Sequence, residues 1–145
     1  MTDWNKRFID LAVHFSTWSK DNPKVGCVIV DNNNKVLATG YNGMPSWFND
    51  ENLLTIEEDK PHMITHAEIN ALSCLSSDDY KKSLKMYITK PPCKPCAISI
   101  LYSLVNIEQI YYLDNSSTHF MNKYKVEESL LLLRSNGIKV SGIKV

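Results

Sequence analysis

The segment KPPCKPC, residues 90–96, constrains the fold of this chain more than any other segment. It follows the strand-like run LKMYIT, residues 84–89, and it leads into CAISILYSLV, residues 96–105, which is apolar enough for a largely buried helix. Cys93 and Cys96 are then three residues apart on the first turn of a helix and point the same way. Both sulfurs can therefore reach one metal ion, and the helix N-terminus favours their thiolate forms.

A second segment, THAEINA at residues 65–71, supplies a further metal ligand. His66 begins a predicted short helix, and if the two helix starts lie side by side against a sheet, it completes a set of three protein ligands. A structural zinc site normally has four protein ligands, whereas a catalytic one has three and a water. Glu68 lies two residues after His66, where it can face the metal-bound water and transfer protons without binding the metal. This combination favours catalysis.

The N-terminal part of the chain predicts a helix followed by a β-hairpin. Thr2 or Asp3 can cap the helix, and apolar residues recur at helical spacing. These residues, which we expect in the core, are Trp4, Phe8, Leu11, Ala12, Phe15 and Trp18. VGCVIV and KVLATGY, residues 25–30 and 35–41, predict two strands that are joined by the turn-forming DNNN. We expect the remaining cysteines, Cys27 and Cys74, to be buried as small apolar residues.

The remaining pattern alternates helices with strands after a long loop. This loop opens at GYNGMP and reaches about Thr65, and further strands are predicted at residues 84–89, 108–114 and 138–145. The helix VEESLLLLRSNG ends at Gly137, a favourable C-terminal residue. The order is helix, hairpin, helix, strand, helix, strand, helix, strand. It predicts one domain, residues 1–145, built as a three-layer α/β/α sandwich with a mixed central sheet.

Charge and composition limit the kinds of partner. The chain has 16 Lys and Arg against 16 Asp and Glu, without a basic cluster. Proteins that hold long nucleic acids usually carry a basic face, whereas a small phosphorylated ligand needs only one or two local cations. No apolar run approaches the ~20 residues of a membrane span, and the N-terminus does not resemble a signal peptide. We expect a cytoplasmic protein with a small-molecule partner and with neither a membrane nor a nucleic-acid polymer as partner.

The pattern H-x-E followed by P-C-x-x-C is the signature of zinc deaminases, and it is matched by His66, Glu68, Pro92, Cys93 and Cys96. The chain resembles the cytidine/deoxycytidylate deaminase superfamily over nearly its full length. Within that superfamily it is most similar to the deoxycytidylate (dCMP) deaminases, including those of phages. The segments that carry the resemblance are SKDNPKVGCVIVD, GYNGMP, HAEINAL and MYITKPPCKPC. A cytidine-deaminase-like fold is implied.

By this resemblance, His66, Cys93 and Cys96 hold one catalytic zinc ion, and Glu68 moves protons while dCMP is hydrolysed to dUMP and ammonia. The product dUMP would supply thymidylate synthesis. The resemblance also implies a homo-oligomer, a hexamer as in many dCMP deaminases. Allosteric regulation by dCTP and dTTP, with Mg²⁺, belongs to the same expectation and would involve the long loop.

Contacts with the substrate are likewise implied. Asn42 is expected to hydrogen-bond the sugar, and the backbone N–H of Ala67 to hold the pyrimidine carbonyl. Ser19 and Lys20 are the candidates for the phosphate, although the segment KDNPKVGC is one residue shorter than the family pattern there. The motif PCKPC departs from the usual PCNxC and brings the charge of Lys94 near the site.

Several interpretations stay open at this point. The substrate could be a modified deoxycytidylate or free (deoxy)cytidine. From other classes, CxxC between a strand and a helix also occurs in thioredoxin-like redox proteins, although the HAE segment then has no explanation. A non-catalytic, zinc-stabilised binding module would need a fourth ligand, for which His62 is the nearby candidate. Trp47 and Phe48 could stack on a base or anchor a subunit contact.

Overall fold

The computed structural model describes residues 3–43 and 65–144. The elements are, in chain order, α1 (Trp4–Ser16), β1 (Gly26–Asp31), β2 (Val36–Tyr41), α2 (Ala67–Ser73), a 3₁₀ helix (Ser77–Lys81), β3 (Ser83–Ile88), α3 (Lys94–Tyr102), β4 (Asn106–Leu113), α4 (Thr118–Lys123), α5 (Val126–Ser135) and β5 (Lys139–Ile143). The sequence predicts all of these except the 3₁₀ helix and α4. No helix within the two described ranges has the length and apolar character that crossing a bilayer requires.

Five strands form one mixed sheet in the order β2-β1-β3-β4-β5. β1 pairs antiparallel with both β2 and β3, whereas β4 pairs parallel with β3 and β5. The hairpin turn is built by Asp31, whose carboxylate accepts hydrogen bonds from the backbone N–H groups of Asn33 and Lys35. Such side-chain bonding to nearby backbone is why Asp and Asn favour turns. The predicted hairpin is confirmed.

Alternate residues of β1 face two different apolar clusters. Cys27 and Ile29 pack with residues of α2, α3 and α5, whereas Val28 and Val30 pack with α1. Successive side chains of a strand point to opposite faces of its sheet, so the helices cover both faces. The predicted three-layer α/β/α sandwich is confirmed.

Two expectations about the core are wrong in part. Phe8 of the aromatic stripe is buried, but Trp4 and Trp18 are 42% and 54% exposed. Trp18 lies beyond the end of α1, where its ring meets Tyr41 edge-on at the surface. Cys74 is exposed because it follows the last residue of α2, whereas Cys27, in the central strand β1, is buried as expected.

Helix α2 packs against β2 at a glycine. A Cβ at Gly40 would lie 2.5 Å from the carbonyl oxygen of Ala67 and 2.6 Å from the backbone nitrogen of Ala71. The helix backbone reaches this close to the strand only because residue 40 has no side chain. Asn70 adds a second tie, since its side-chain amide donates a 2.8 Å hydrogen bond to the carbonyl of Tyr41. The end of β2 thereby fixes where α2 begins.

We expect Gly40→Ala to lower the free energy of unfolding by about 1–3 kcal/mol, the usual cost of overpacking. The atoms that a methyl group would meet are backbone atoms of α2, which cannot rotate away. Equilibrium urea unfolding measures the change. Gly43→Ala is the matched control, because a Cβ there would meet nothing nearer than a carboxylate oxygen of Asp21 at 3.8 Å. Equal stability of the two variants would contradict this account of the packing.

Candidate active site

Two helix N-termini supply the side chains of the site. His66 is the N-cap residue of α2 and Cys93 that of α3, and neither side chain forms a capping hydrogen bond. Both therefore keep their ligand atoms for another partner. Cys96 lies in the first turn of α3, after Pro95, which is tolerated there because its missing N–H has no intrahelical acceptor in any case.

The structure brings the three predicted metal ligands together. One ligand atom from each of His66, Cys93 and Cys96 lies within 4.8 Å of the others. The Sγ atoms of Cys93 and Cys96 are 3.2 Å and 3.1 Å from Nδ1 of His66. One zinc ion with bonds of about 2.0–2.3 Å can span such separations, and two sulfurs with one imidazole are a donor set that zinc prefers. The three residues therefore fit the metal.

Contacts within the cluster shift the pKa values of the two thiols in opposite directions. The pKa of Cys93 is lowered to about 5, first because the Cys96 thiol donates a hydrogen bond to it and further because of His66. The pKa of Cys96 is raised, chiefly because it is the donor of that bond and is buried. The hydrogen bond between His66 and Cys93 raises the pKa of His66. One negative sulfur at a helix N-terminus suits a cation, and the second thiol can lose its proton when the cation arrives.

Glu68 lies beside this cluster in the first turn of α2 and is 3% exposed. Its pKa is raised, first by burial and next by the negative charge of Cys93, while hydrogen bonds from its own backbone N–H and from Cys96 act in the opposite direction. A carboxyl group with a raised pKa can both accept and return a proton near neutral pH. This is the property that a proton-transferring residue needs.

A cavity of about 380 Å³ opens next to these groups. Its wall includes His66, Glu68 and Cys93, so a bound molecule would meet both the metal ligands and the carboxyl group. The volume lies within the range of small-molecule sites. Across the described ranges, the other lining residues come from the loop after α1, the residue after β2, the start of α2, the loop before α3, and α4 with the residue that follows it: Asp21, Asn22, Pro23, Val25, Asn42, Ala67, Lys90, Pro91, Phe120, Lys123 and Tyr124.

Of the four residues predicted to contact the substrate, Asn42 and Ala67 line the cavity. Ser19 and Lys20 are not among the described residues that do so. The amide of Asn42 is already engaged, since its oxygen accepts from the N–H of Val25 and its nitrogen donates to the carbonyl of Pro23, both at 2.8 Å. Ser19 is buried and donates to the carbonyl of Asn42 at 2.7 Å. The contacts of Ser19 and Lys20 with a phosphate stay predictions.

Sequence reasoning missed the part of the wall that α4 supplies. THFMNK is short and mostly polar, and none of its residues is buried. The available signal was Ser117, whose side chain caps the helix by accepting from the N–H of Phe120. Lys90 lies in the segment KPPCKPC, whose pattern the two cysteines explain without a role for this lysine. Trp47, Phe48 and His62 lie outside the described residues.

Comparison with known proteins is consistent with this geometry. The chain is 35% identical over 119 residues to a probable deoxycytidylate deaminase of Caenorhabditis elegans, which covers 77% of this chain and 57% of that protein. It is 33% identical over 120 residues to human deoxycytidylate deaminase, with coverages of 78% and 66%. The alignments with these curated relatives thus span 57% to 66% of their length.

The fold matches the crystal structure of the dCMP deaminase of cyanophage S-TIM5 in complex with dCMP and dUMP. The TM-score is 0.73 at 26% identity, and the match covers 100% of this chain and 99% of the phage protein. Residues 2–113 match the model of the cytidine and deoxycytidylate deaminase zinc-binding region, and they include the His66, Cys93 and Cys96 cluster. The chain therefore belongs to the cytidine and deoxycytidylate deaminase family.

Proposed function

We propose that this protein is a zinc-dependent deoxycytidylate deaminase that hydrolyses dCMP to dUMP and ammonia. The observation that carries the proposal is the placement of Glu68 and the His66, Cys93 and Cys96 cluster at one cavity of nucleotide size. The similarity to the phage enzyme that was crystallised with dCMP and dUMP supports the same substrate. The thioredoxin-like interpretation is not favoured, because it does not explain why His66 contacts both thiols.

Each protein group has a distinct task in this reaction. His66, Cys93 and Cys96 would hold zinc, and the bound ion would lower the pKa of a water molecule to about 7. Glu68 accepts a proton from the water that attacks C4 and delivers it to N3 of the pyrimidine. It then carries the remaining proton of the added hydroxyl to the amino group, so that the C4–N bond breaks, ammonia leaves and the C4 carbonyl forms. Its raised pKa suits these successive transfers. Burial also keeps bulk water from competing for its proton.

Backbone and amide groups orient the base and the sugar. The N–H of Ala67 belongs to the first turn of α2 and has no intrahelical acceptor, so it can donate to the pyrimidine carbonyl. Asn42 uses one amide hydrogen on Pro23 and retains a second for a sugar hydroxyl. Because Pro23 and Val25 hold that amide in place, it needs no reorganisation when the sugar binds.

We propose in addition that the protein is a homo-oligomer. The large apolar side chains of Tyr102 and Leu104, at the end of α3 and just beyond it, are 85% and 83% exposed, and contact with a neighbouring subunit would bury them. Light scattering coupled to size exclusion measures the subunit number. The hexamer, and regulation by dCTP and dTTP with Mg²⁺, stay predictions.

The proposed substrate predicts that kcat/KM for dCMP exceeds that for deoxycytidine by at least about tenfold, since one charge-assisted hydrogen bond to phosphate contributes roughly 1.5–3 kcal/mol. Ammonia release is measured on both, with dCTP, CMP and 5-substituted dCMP in the same series. Equal turnover of dCMP and deoxycytidine would make the protein a nucleoside deaminase. Faster turnover of a 5-substituted dCMP would identify the modified nucleotide as the substrate.

We expect Glu68→Gln to fold and to keep its metal while losing at least about 10²–10⁴-fold in kcat, the usual contribution of general acid–base catalysis. The amide keeps the size of the side chain but cannot carry protons between water, N3 and the amino group. Metal analysis accompanies the kinetics. Loss of metal with residual turnover would instead show that Glu68 is a ligand.

Purified protein is expected to contain one zinc ion per chain, and Cys96→Ala to lose most of it together with activity. Removing one of three protein ligands leaves a site too weak to retain the ion through dialysis. Cys74→Ala is the matched control, because this exposed thiol lies outside the cluster. Full zinc content and full activity in Cys96→Ala would overturn the ligand assignment.

A further inference from the structure

Two lysines reach the cavity from different parts of the fold. Lys90 lies in the loop between β3 and α3, three residues before the ligand Cys93, and Lys123 is the last residue of α4. Both line the same cavity as Glu68 and His66. Among the lining residues that the structure describes, Asp21 is the one carboxylate besides Glu68, and the two lysines offer positive charge to an anionic substituent.

Each lysine lies over an aromatic ring that also lines the cavity. Nζ of Lys90 is 5.2 Å from the ring centroid of Phe120, and Nζ of Lys123 is 5.3 Å from that of Tyr124. The two rings are 4.5 Å apart. Lys90, Phe120, Tyr124 and Lys123 thus form one row, which we call the lysine–aromatic wall. A ring restrains an ammonium group without cancelling its charge, as a carboxylate would.

The wall is attached to the metal-binding loop by a third lysine. The backbone N–H of Lys94 donates to the carbonyl of Tyr124 at 3.2 Å, and its Nζ pairs with a carboxylate oxygen of Glu128 at 3.1 Å. The charge of Lys94 is therefore already compensated. Within the described part of the chain, no carboxylate pairs with Lys90 or Lys123. The positive charges of Lys90 and Lys123 can therefore interact with an anionic ligand.

We propose that Lys90 is the specificity-determining residue that selects a 5′-phosphate over an uncharged nucleoside, with Lys123 as the second cation. The proposal rests on the proposed function, because it concerns the same cavity. Lys90 is fixed relative to Cys93 by the short loop and relative to Phe120 by the ring contact. An anion held there has a defined position relative to the metal ligands. Lys20, the candidate from the sequence, is exposed and does not line the cavity among the described residues.

The test measures binding separately from turnover. Calorimetry compares dUMP with deoxyuridine, two molecules that differ by the phosphate and that need no catalysis, while ammonia release compares dCMP with deoxycytidine. Lys90→Met keeps an unbranched apolar stem over Phe120 but removes the charge, and Lys90→Arg retains the charge. Lys20→Met tests the competing assignment. Lys81→Met is the control for removing a positive charge at an exposed position outside the cavity.

Lys90→Met is expected to weaken dUMP binding by about tenfold or more, the loss of one charge-assisted hydrogen bond, while deoxyuridine binding stays unchanged. KM for dCMP should rise in parallel, Lys90→Arg should restore most of the preference, and Lys81→Met should alter it less than about twofold. Lys20→Met should reduce the preference less than Lys90→Met does, and a larger loss in Lys20→Met would overturn the proposal. An unchanged preference in Lys90→Met, an equal loss for nucleotide and nucleoside, or equal wild-type affinity for dUMP and deoxyuridine would each overturn the proposal. Wild-type protein that prefers dUMP through Lys90 but deaminates no cytosine compound would refute the proposed activity alone.

Discussion

The site depends on the pairing of β1 between β2 and β3. Both neighbours run antiparallel to β1 and therefore run in the same direction as each other. Cys27 is opposite Gly40 on one side and opposite Ile88 on the other, so the C-terminal ends of β2 and β3 reach the same edge of the sheet. The chain returns to that edge at Thr65, which bridges Gly43, and both α2 and α3 begin there. The predicted metal ligands His66 and Cys93, separated by 27 residues in sequence, meet for this reason.

This placement also brings several electrostatic effects together at the site. Two helix N-termini point at one small volume, and each favours negative charge. The pKa of Cys93 is lowered, first by the hydrogen bond from the Cys96 thiol, whereas the pKa of Glu68 is raised, first by its burial. The same fold therefore brings the predicted metal ligand Cys93 close to the carboxyl group of Glu68, although the two residues are far apart in sequence. The cations that suit a phosphate belong to the lysine–aromatic wall, where Lys90 and Lys123 lie over aromatic rings.

The sequence predicts those parts of the site that short-range rules determine. The spacing of Cys93 and Cys96 fixes their orientation on one helical turn, and the position of His66 before an apolar helical run fixes it at a helix start. The sheet follows from alternating β-branched runs and turn residues. These features involve neighbours in the chain, so local propensity and geometry are sufficient to predict them.

The lysine–aromatic wall could not be predicted in the same way. α4 is a six-residue helix without buried residues, and Lys125 in a left-handed conformation separates it from α5, a break that no glycine marks. Its contribution depends on tertiary contacts with Lys90 and Lys94, far away in sequence. Nothing local in the sequence around Asn42 indicates that Val25 and Pro23 already bind its amide. Trp18 was expected in the core by periodicity alone, although the helix ends two residues before it.

X-ray absorption spectroscopy at the zinc edge is the most direct test of the central claim, that two helix starts form a three-ligand zinc site with one position open to water. The account predicts two sulfur neighbours at about 2.3 Å, one imidazole nitrogen at about 2.0–2.1 Å, and one oxygen that is displaced or altered when a nucleotide analogue binds. A closed site with two sulfur and two imidazole neighbours that does not respond to the analogue would contradict it. Such a site would make the metal structural, with a second histidine as the fourth ligand.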